Sequence, residues 1–193
     1  MSLIDRVKNI LLTPKQEWPV IEAESATVGS IFTGYVIPLA LIPAVSSFIG
    51  FSLIGISFLG GSIKVPMDMG LEYAAITYGL SLVSVYVLAL IVDALAPNFG
   101  GQKNPVSAFK VAAYSSTAAW VAGIFLLIPS LGILQIAGLY SLVLLFLGLP
   151  ILMKAPEDKA FAYTAVAAIA GAVLWIVVSQ VARRVLGFGN LFV

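Results

Sequence analysis

The residues that could do chemistry in this chain are few, and most of them interrupt long apolar stretches. Asp93 is the only acidic residue embedded in an apolar run, and Lys110 begins the next such run. If such an apolar run lies in lipid, an ionisable group within it is costly and is therefore a candidate for function. The spacing favours a structural explanation, either an Asp93–Lys110 ion pair or a capping contact of Asp93 in the following loop. Gln135 is a weaker candidate of the same kind.

Hydroxyl groups form a second candidate site. Thr77, Ser81 and Ser84 recur with Tyr73 at helical spacing, so they share one face of a predicted helix. Such a face could line the polar cavity of a small channel or transporter. Hydroxyl groups in membrane helices more often bond to their own helix or to a neighbouring one, and we favour that interpretation.

The composition removes most catalytic chemistry. Cysteine and histidine are both absent, which excludes thiolate nucleophiles, imidazole bases and the usual zinc and haem ligands. The sequence also lacks a nucleophile elbow, a phosphate-binding loop and a pair of carboxylates within one apolar segment. We therefore expect no enzyme, no catalytic residue, no cofactor and no metal. An intramembrane enzyme acting on lipid is the least favoured function.

Lipid is the predicted solvent for most of the chain. Hydrophobic residues make up 61% of it and charged residues 10%, and the mean hydropathy is +1.08. The chain runs 39 residues without a charge between Glu24 and Lys64, and 43 between Lys110 and Lys154. No soluble domain of this length could bury such stretches. The net charge of +1 gives no electrostatic footprint for nucleic acid, which we exclude as a partner.

The sequence predicts an all-α fold, a polytopic membrane helix bundle with five transmembrane helices and a short amphipathic N-terminal segment. Each span needs about 20 apolar residues, and only helices satisfy their backbone groups inside lipid. The five predicted spans are Val28–Leu59, Tyr73–Leu95, Val111–Ile128, Ile133–Met153 and Ala160–Val181. The first is overlong, so we expect Pro38 and Pro43 to kink it. Pro129 and Gly132 mark a tight turn.

Three regions follow: residues 1–27 as a cytoplasmic amphipathic or interfacial segment, residues 28–182 as the membrane domain, and residues 183–193 as a short tail. In the first region an apolar face opposes a polar arc, which suits a helix in the membrane surface. The apolar face consists of Leu3, Val7, Ile10 and Leu11, and the polar arc of Asp5, Arg6, Lys8 and Asn9. Trp18 is predicted to anchor at the interface. Covering the bundle is favoured over sensing the membrane or docking a partner.

Small residues recur along the third span, where they predict close packing between helices. They are Ala108, Ala112, Ser115, Ala119 and Ala122.

The distribution of Lys and Arg predicts the orientation. Five spans place the termini on opposite sides, and seven of the ten basic residues then share a side with the N-terminus. The positive-inside bias predicts a multi-pass protein of the cell (inner) membrane, with its N-terminus cytoplasmic and its C-terminus on the opposite side. A four-span arrangement with a re-entrant turn at Pro129 is the alternative.

Three segments taken in order resemble the Ypt-interacting protein (YIP) family of five-span membrane proteins, especially its short bacterial members. They are Ile10–Trp18 before the first span, the glycine-rich turn Asn98–Gln102, and Phe109–Ser115, which pairs Lys110 with Tyr114. The resemblance implies the five-span fold and marks Tyr114 as a candidate packing residue. Eukaryotic members bind Rab-type GTPases. Their Asp-Leu-Tyr-Gly-Pro motif and long N-terminus are missing here, so we do not extend GTPase binding to this chain.

Residues and resemblance together predict an integral membrane protein that acts through contacts. We expect a non-catalytic scaffold or partner-binding protein in membrane organisation, with membrane lipid around it and protein partners or a homo-oligomer as its associates. The alternative is a small channel or transporter that uses the polar face of the second span.

Overall fold

Five long apolar helices form the body of the molecule. The structure is a computed structural model that describes residues 1–58 and 61–185. The spans, numbered 1 to 5 along the chain, are Val28–Ile54, Met67–Phe99, Pro105–Leu127, Pro129–Met153 and Glu157–Ala182. The predicted all-α bundle with five membrane-spanning helices is therefore confirmed. Each predicted span overlaps an observed helix, although most of the boundaries differ.

Two short helices precede the spans. Helix α1 (Leu3–Leu12) begins at Ser2, whose hydroxyl accepts a hydrogen bond from the main-chain N–H of Asp5. Helix α2 (Pro14–Ala23) begins with a proline, which lacks an N–H at a position where the first turn of a helix would leave that group unpaired. Together α1 and α2 form the unit that we call the N-terminal hairpin.

Span 1 departs from regular helical geometry. Its α-helical parts are Val28–Ile31 and Ile37–Phe48, and its π-helical parts are Phe32–Val36 and Ile49–Ile54. The observed span lies within the predicted stretch Val28–Leu59 and ends where Gly55 adopts a φ of 92°, a conformation that stops the helix. An antiparallel hairpin of strands β1 (Ile56–Phe58) and β2 (Gly61–Ile63) follows. Leu59 itself lies outside the described residues.

Spans 2 to 4 contain local changes of helical geometry. Span 2 is α-helical over Met67–Leu95 and closes with a 3₁₀ turn over Ala96–Phe99. Span 3 is interrupted at Ser116, whose hydroxyl donates to the carbonyl of Ala112, and it closes with a 3₁₀ turn. Its parts are Pro105–Ser115, Thr117–Ala122 and Gly123–Leu127, while span 4 consists of Pro129–Leu139, in 3₁₀ geometry, and Tyr140–Met153.

Span 3 lies at the centre of the bundle. In its most apolar stretch 61% of the residues are buried, against 17% in spans 2 and 5, whose apolar side chains face outward. The small-residue stripe explains this position, since Ala108, Ala112, Ser115 and Ala122 are all buried. Ala119 is exposed, yet its main chain lies close to Gly138 of span 4.

The turn between spans 2 and 3 is fixed to the end of span 4. Gly100 adopts a φ of 73°, and the N–H of Gln102 donates to the carbonyl of Met153 over 2.8 Å. A Cβ on Gly101 would lie 2.8 Å from that same carbonyl oxygen, so only glycine fits there. Gly100 therefore makes the turn, and Gly101 allows the turn to approach the end of span 4 closely.

The last helix is continuous over Glu157–Val185 and so extends into the predicted tail of residues 183–193. Residues 186–193 lie outside the described part of the chain. The predicted division at residues 27 and 182 stays a prediction.

Candidate functional site: a buried charge cluster under the N-terminal hairpin

Four charged side chains meet where the N-terminal hairpin contacts the spans. Arg6 of α1 is only 5% exposed, and its guanidinium donates to the carboxylates of Glu17 in α2 and Glu24 just after it. Lys110 of span 3, also 5% exposed, completes the set. Arg6, Lys110 and Glu17 are buried and Glu24 is part-exposed, and the formal charges of the four cancel, as buried charges require. We call these four residues the charge cluster.

Lys110 caps the end of α2. Its ammonium Nζ donates to the main-chain carbonyls of Ile21 and Glu24, each over 2.6 Å. The last carbonyls of a helix have no partner within it, and they carry the negative end of the helix dipole. The Lys110 ammonium on span 3 therefore satisfies two carbonyls at the end of α2 and compensates the negative end of its dipole.

The electrostatics favour a charged Arg6. Burial alone would lower the pKa of the Arg6 guanidinium, but the hydrogen bond and charge of Glu24, together with the charge of Glu17, outweigh it and raise that pKa. The guanidinium also lies 5.6 Å from the ring centre of Tyr114, where the ring face attracts a cation.

Aromatic side chains form the floor of the cluster. The rings of Tyr35 and Tyr114 meet edge to face with their centres 4.6 Å apart. The Tyr35 hydroxyl lies 2.7 Å from Thr117 Oγ1, which itself donates to the carbonyl of Tyr114. Because Thr117 already uses its hydrogen, Tyr35 is the donor in this contact. Spans 1 and 3 are thereby joined directly below the charges.

Trp18 fixes the hairpin to span 4. Its side chain is fully buried, edge-on to Tyr114 and against Gly148, where a Cβ would lie 2.7 Å from the indole ring. The predicted interfacial anchor is therefore wrong, because the glycine on span 4 leaves room for the whole indole. Its Nε1 has no hydrogen-bond partner among the described residues.

The apolar face of α1 covers the bundle, as the favoured interpretation expected. Ile10 is fully buried, while Leu3, Val7 and Leu11 pack against the core. Placing Arg6 on the exposed polar arc was wrong, because its side chain turns inward to meet two carboxylates. An open cleft of about 330 Å³ lies between the first residues of α1 and the start of span 1, lined in part by Arg6 and Glu24.

The structure brings Lys110 and Tyr114 together in the cluster and places Asp93 elsewhere. Asp93 Oδ1 accepts a 2.7 Å hydrogen bond from the main-chain N–H of Asn104, which caps the start of span 3. Of the two structural alternatives, the loop contact is the one observed, since Lys110 is bound to the carbonyls of α2. Gln135 is exposed in the 3₁₀ part of span 4, away from the cluster.

The hydroxyl face of span 2 contacts protein. Thr77 Oγ1 donates to the carbonyl of Tyr73 over 2.7 Å, within its own helix. Ser81 Oγ accepts from the indole Nε1 of Trp120 on span 3 over 3.3 Å, and Ser84 is half-buried. These contacts are those of the interpretation we favoured, in which the hydroxyl groups serve packing.

The comparisons with known proteins agree with this architecture. A family model described as the Yip1 domain matches residues 8–178, from within α1 to span 5. The chain belongs to the Yip1 family. The family resemblance predicted from the sequence is confirmed. The matched residues contain three members of the charge cluster, Glu17, Glu24 and Lys110, while Arg6 lies just before them.

Two curated relatives are similar to this chain. Both are named inner membrane protein YohC, one from Escherichia coli strain K12 and one from Escherichia coli O6:H1 strain CFT073. Each is 28% identical over 156 residues, which cover 78% of this chain and 80% of the relative. No solved structure matches the chain at a significant level.

Proposed function

We propose that this Yip1-family membrane protein is a non-catalytic scaffold or partner-binding protein that acts in membrane organisation. The observation that carries the proposal is that the residues of the charge cluster are bound to one another or to main-chain carbonyls of the hairpin. Arg6 is bound by Glu17 and Glu24, and Lys110 is bound by two carbonyls of the hairpin. The Arg6 pairs hold the two helices of the hairpin together and Lys110 fixes the hairpin to span 3, which suits a rigid surface for contacts better than a reaction centre.

A channel or transporter is the less supported function. It would need the hydroxyl face of span 2 to border water. The contacts of Thr77 with its own helix and of Ser81 with Trp120 favour a packing role for that face. Reconstituted flux that is abolished by Thr77→Val and Ser81→Ala would restore this candidate.

We also propose the inner membrane as the location, with the N-terminus in the cytoplasm. The similarity to inner membrane protein YohC supports the membrane, and the bias of basic residues supports the orientation. A reporter that is active only in the cytoplasm, fused to either terminus, tests the orientation. Activity at the N-terminus alone is expected, and activity at both termini would contradict it.

Crosslinking in native membranes, followed by purification in several mild detergents, tests the scaffold role. A photoreactive residue at Gln16, exposed on α2, should yield one reproducible adduct, either a homo-oligomer or the same partner each time. The same residue at Phe161, exposed on span 5, is the matched control for contact with lipid. A chain that remains an uncrosslinked monomer in every detergent would contradict the proposal.

A further inference from the structure

The N-terminal hairpin lies deeper than the charged ends of the spans. Asp93, Lys110, Lys154 and Lys159 mark the same end of spans 2 to 5. Trp18 of α2 contacts Gly148, five residues before the end of span 4, which is about 7 Å along a helix. The hairpin thus reaches past these charges toward the middle of the bundle.

Helix α1 reaches further still. It packs against the part of span 3 formed by Thr117–Ala122, which begins seven residues beyond Lys110. At about 1.5 Å per residue this part lies roughly 10 Å or more below the Lys110 level. A helix at that depth beside a membrane-spanning bundle is at the boundary between headgroups and acyl chains, where amphipathic helices bind.

The outward side of α1 carries large apolar side chains. Met1, Ile4 and Leu12 are 69%, 77% and 70% exposed. Ile4, Lys8 and Leu12 follow one another at intervals of four residues, so they share a face. A lysine between two apolar residues suits the interface, because its alkyl chain lies in the apolar layer while its ammonium reaches the headgroups.

We propose that this outward face, Met1–Ile4–Lys8–Leu12, contacts membrane lipid, with the apolar side chains among the upper acyl segments and Lys8 at the phosphates. It is a different face from the one that the sequence pattern assigned to the membrane. That inner face, which carries Ile10, is covered by the bundle. The depth of α1 and the large apolar side chains on its outer face identify lipid as the occupant. The lipid contact does not depend on the proposed scaffold role.

The chain has no cysteine, so single-cysteine variants report on one position each. Ile4→Cys and Leu12→Cys are labelled with a polarity-sensitive fluorophore and reconstituted into phosphatidylethanolamine–phosphatidylglycerol vesicles. Asp158→Cys, at the exposed charged beginning of span 5, is the water standard. Ile169→Cys, exposed in the middle of span 5, is the lipid standard. Quenching is measured with aqueous iodide and with phospholipids that carry a nitroxide near the headgroup or deep in the chain.

Both α1 positions should be quenched by the lipid nitroxides, most strongly by the shallow one, and iodide quenching should be several-fold weaker than at Asp158→Cys. Iodide quenching equal to the water standard would overturn the lipid contact. Protection from both quenchers would overturn it too, since a protein surface would then cover the face. The two positions test the contact independently, and a single symmetric elution peak shows that each variant is folded.

Discussion

Two polar regions of the molecule, the charge cluster and the hydroxyl face of span 2, differ in where their partners come from. Arg6 and Lys110 bind groups that are 11 to 89 residues away in the sequence. Thr77 donates to a carbonyl four residues away on its own helix. Both arrangements satisfy polar groups away from water, but the first joins separate elements through buried charges, whereas the second does so only through the 3.3 Å contact of Ser81 with Trp120. Disrupting the first should therefore affect the whole fold, and disrupting the second should not.

Removing the Arg6 charge should have the largest effect. Arg6→Met leaves Glu17 buried at 4% exposure without its cation, and we expect a loss of about 3–5 kcal/mol in the free energy of unfolding. Denaturation in mixed detergent, followed by tryptophan fluorescence, measures the loss. The control is Lys8→Met, a change of the same type at an exposed position of α1. Equal effects of the two substitutions would contradict the structural role of Arg6.

Removing the Lys110 charge should have the next largest effect. Lys110→Met deletes two charge-assisted hydrogen bonds to the end of α2 and should cost about 1.5–3 kcal/mol in total in the free energy of unfolding, because the end of α2 is exposed and its carbonyls can bind water instead. In the Lys110→Met variant, amide hydrogen exchange should become faster in α2 and change little in span 2. The matched variant Lys103→Met, on the exposed turn before span 3, should leave the exchange unchanged. Uniform acceleration over the whole chain would show that Lys110 does not act on α2 in particular.

The sequence predicted the spans better than the cluster, for a physical reason. Span positions depend on the hydropathy of consecutive residues, which a single chain displays directly. The position of Trp18 depends on Gly148, which lies 130 residues further on, and no local pattern connects the two. Lys110 and Tyr114 could be found because they interrupt an apolar run or match a family segment. Arg6 had one available signal, its place between Leu3 and Ile10 on the buried stripe of α1.

The irregular parts of the spans were also beyond prediction from the sequence. Pro38 and Pro43 suggested a kink in span 1, whereas the structure has π-helical turns over Phe32–Val36 and Ile49–Ile54. The first of these turns contains Tyr35, which contacts Thr117 of span 3, and no local pattern connects those two residues. The capping role of Asp93 was among the expected alternatives because it needs only the adjacent loop.

Thr77→Val should have a small effect, since it removes one local hydrogen bond and conserves volume. We expect a change below about 1 kcal/mol in the free energy of unfolding, typical of single polar groups in membrane helices. The same denaturation assay measures it. A loss as large as that of Arg6→Met would remove the contrast between the two regions.

The exposed pair of Glu22 and Lys154 should contribute least, and in a pH-dependent way. The hydrogen bond and charge of Lys154, 2.7 Å away, lower the pKa of the Glu22 carboxyl. The stabilisation is therefore fully present above the ordinary pKa of a glutamate and is lost as the pH falls through the lowered one. The difference in melting temperature between the wild-type chain and Glu22→Gln should shrink as the solution is acidified. A difference that stays constant with pH would rule the pair out.

The central claim is that buried charges of opposite sign hold the two helices of the N-terminal hairpin together where Lys110 fixes it to span 3. A double-mutant cycle with Arg6→Met, Glu17→Leu and the combined variant tests it most directly, with the free energy of unfolding as the readout. Arg6→Met leaves the buried Glu17 without its cation and Glu17→Leu leaves Arg6 with Glu24 alone, whereas the double variant replaces the Arg6–Glu17 pair by apolar side chains of similar size. We predict that the double variant is more stable than Arg6→Met. Losses that simply add would contradict the claim.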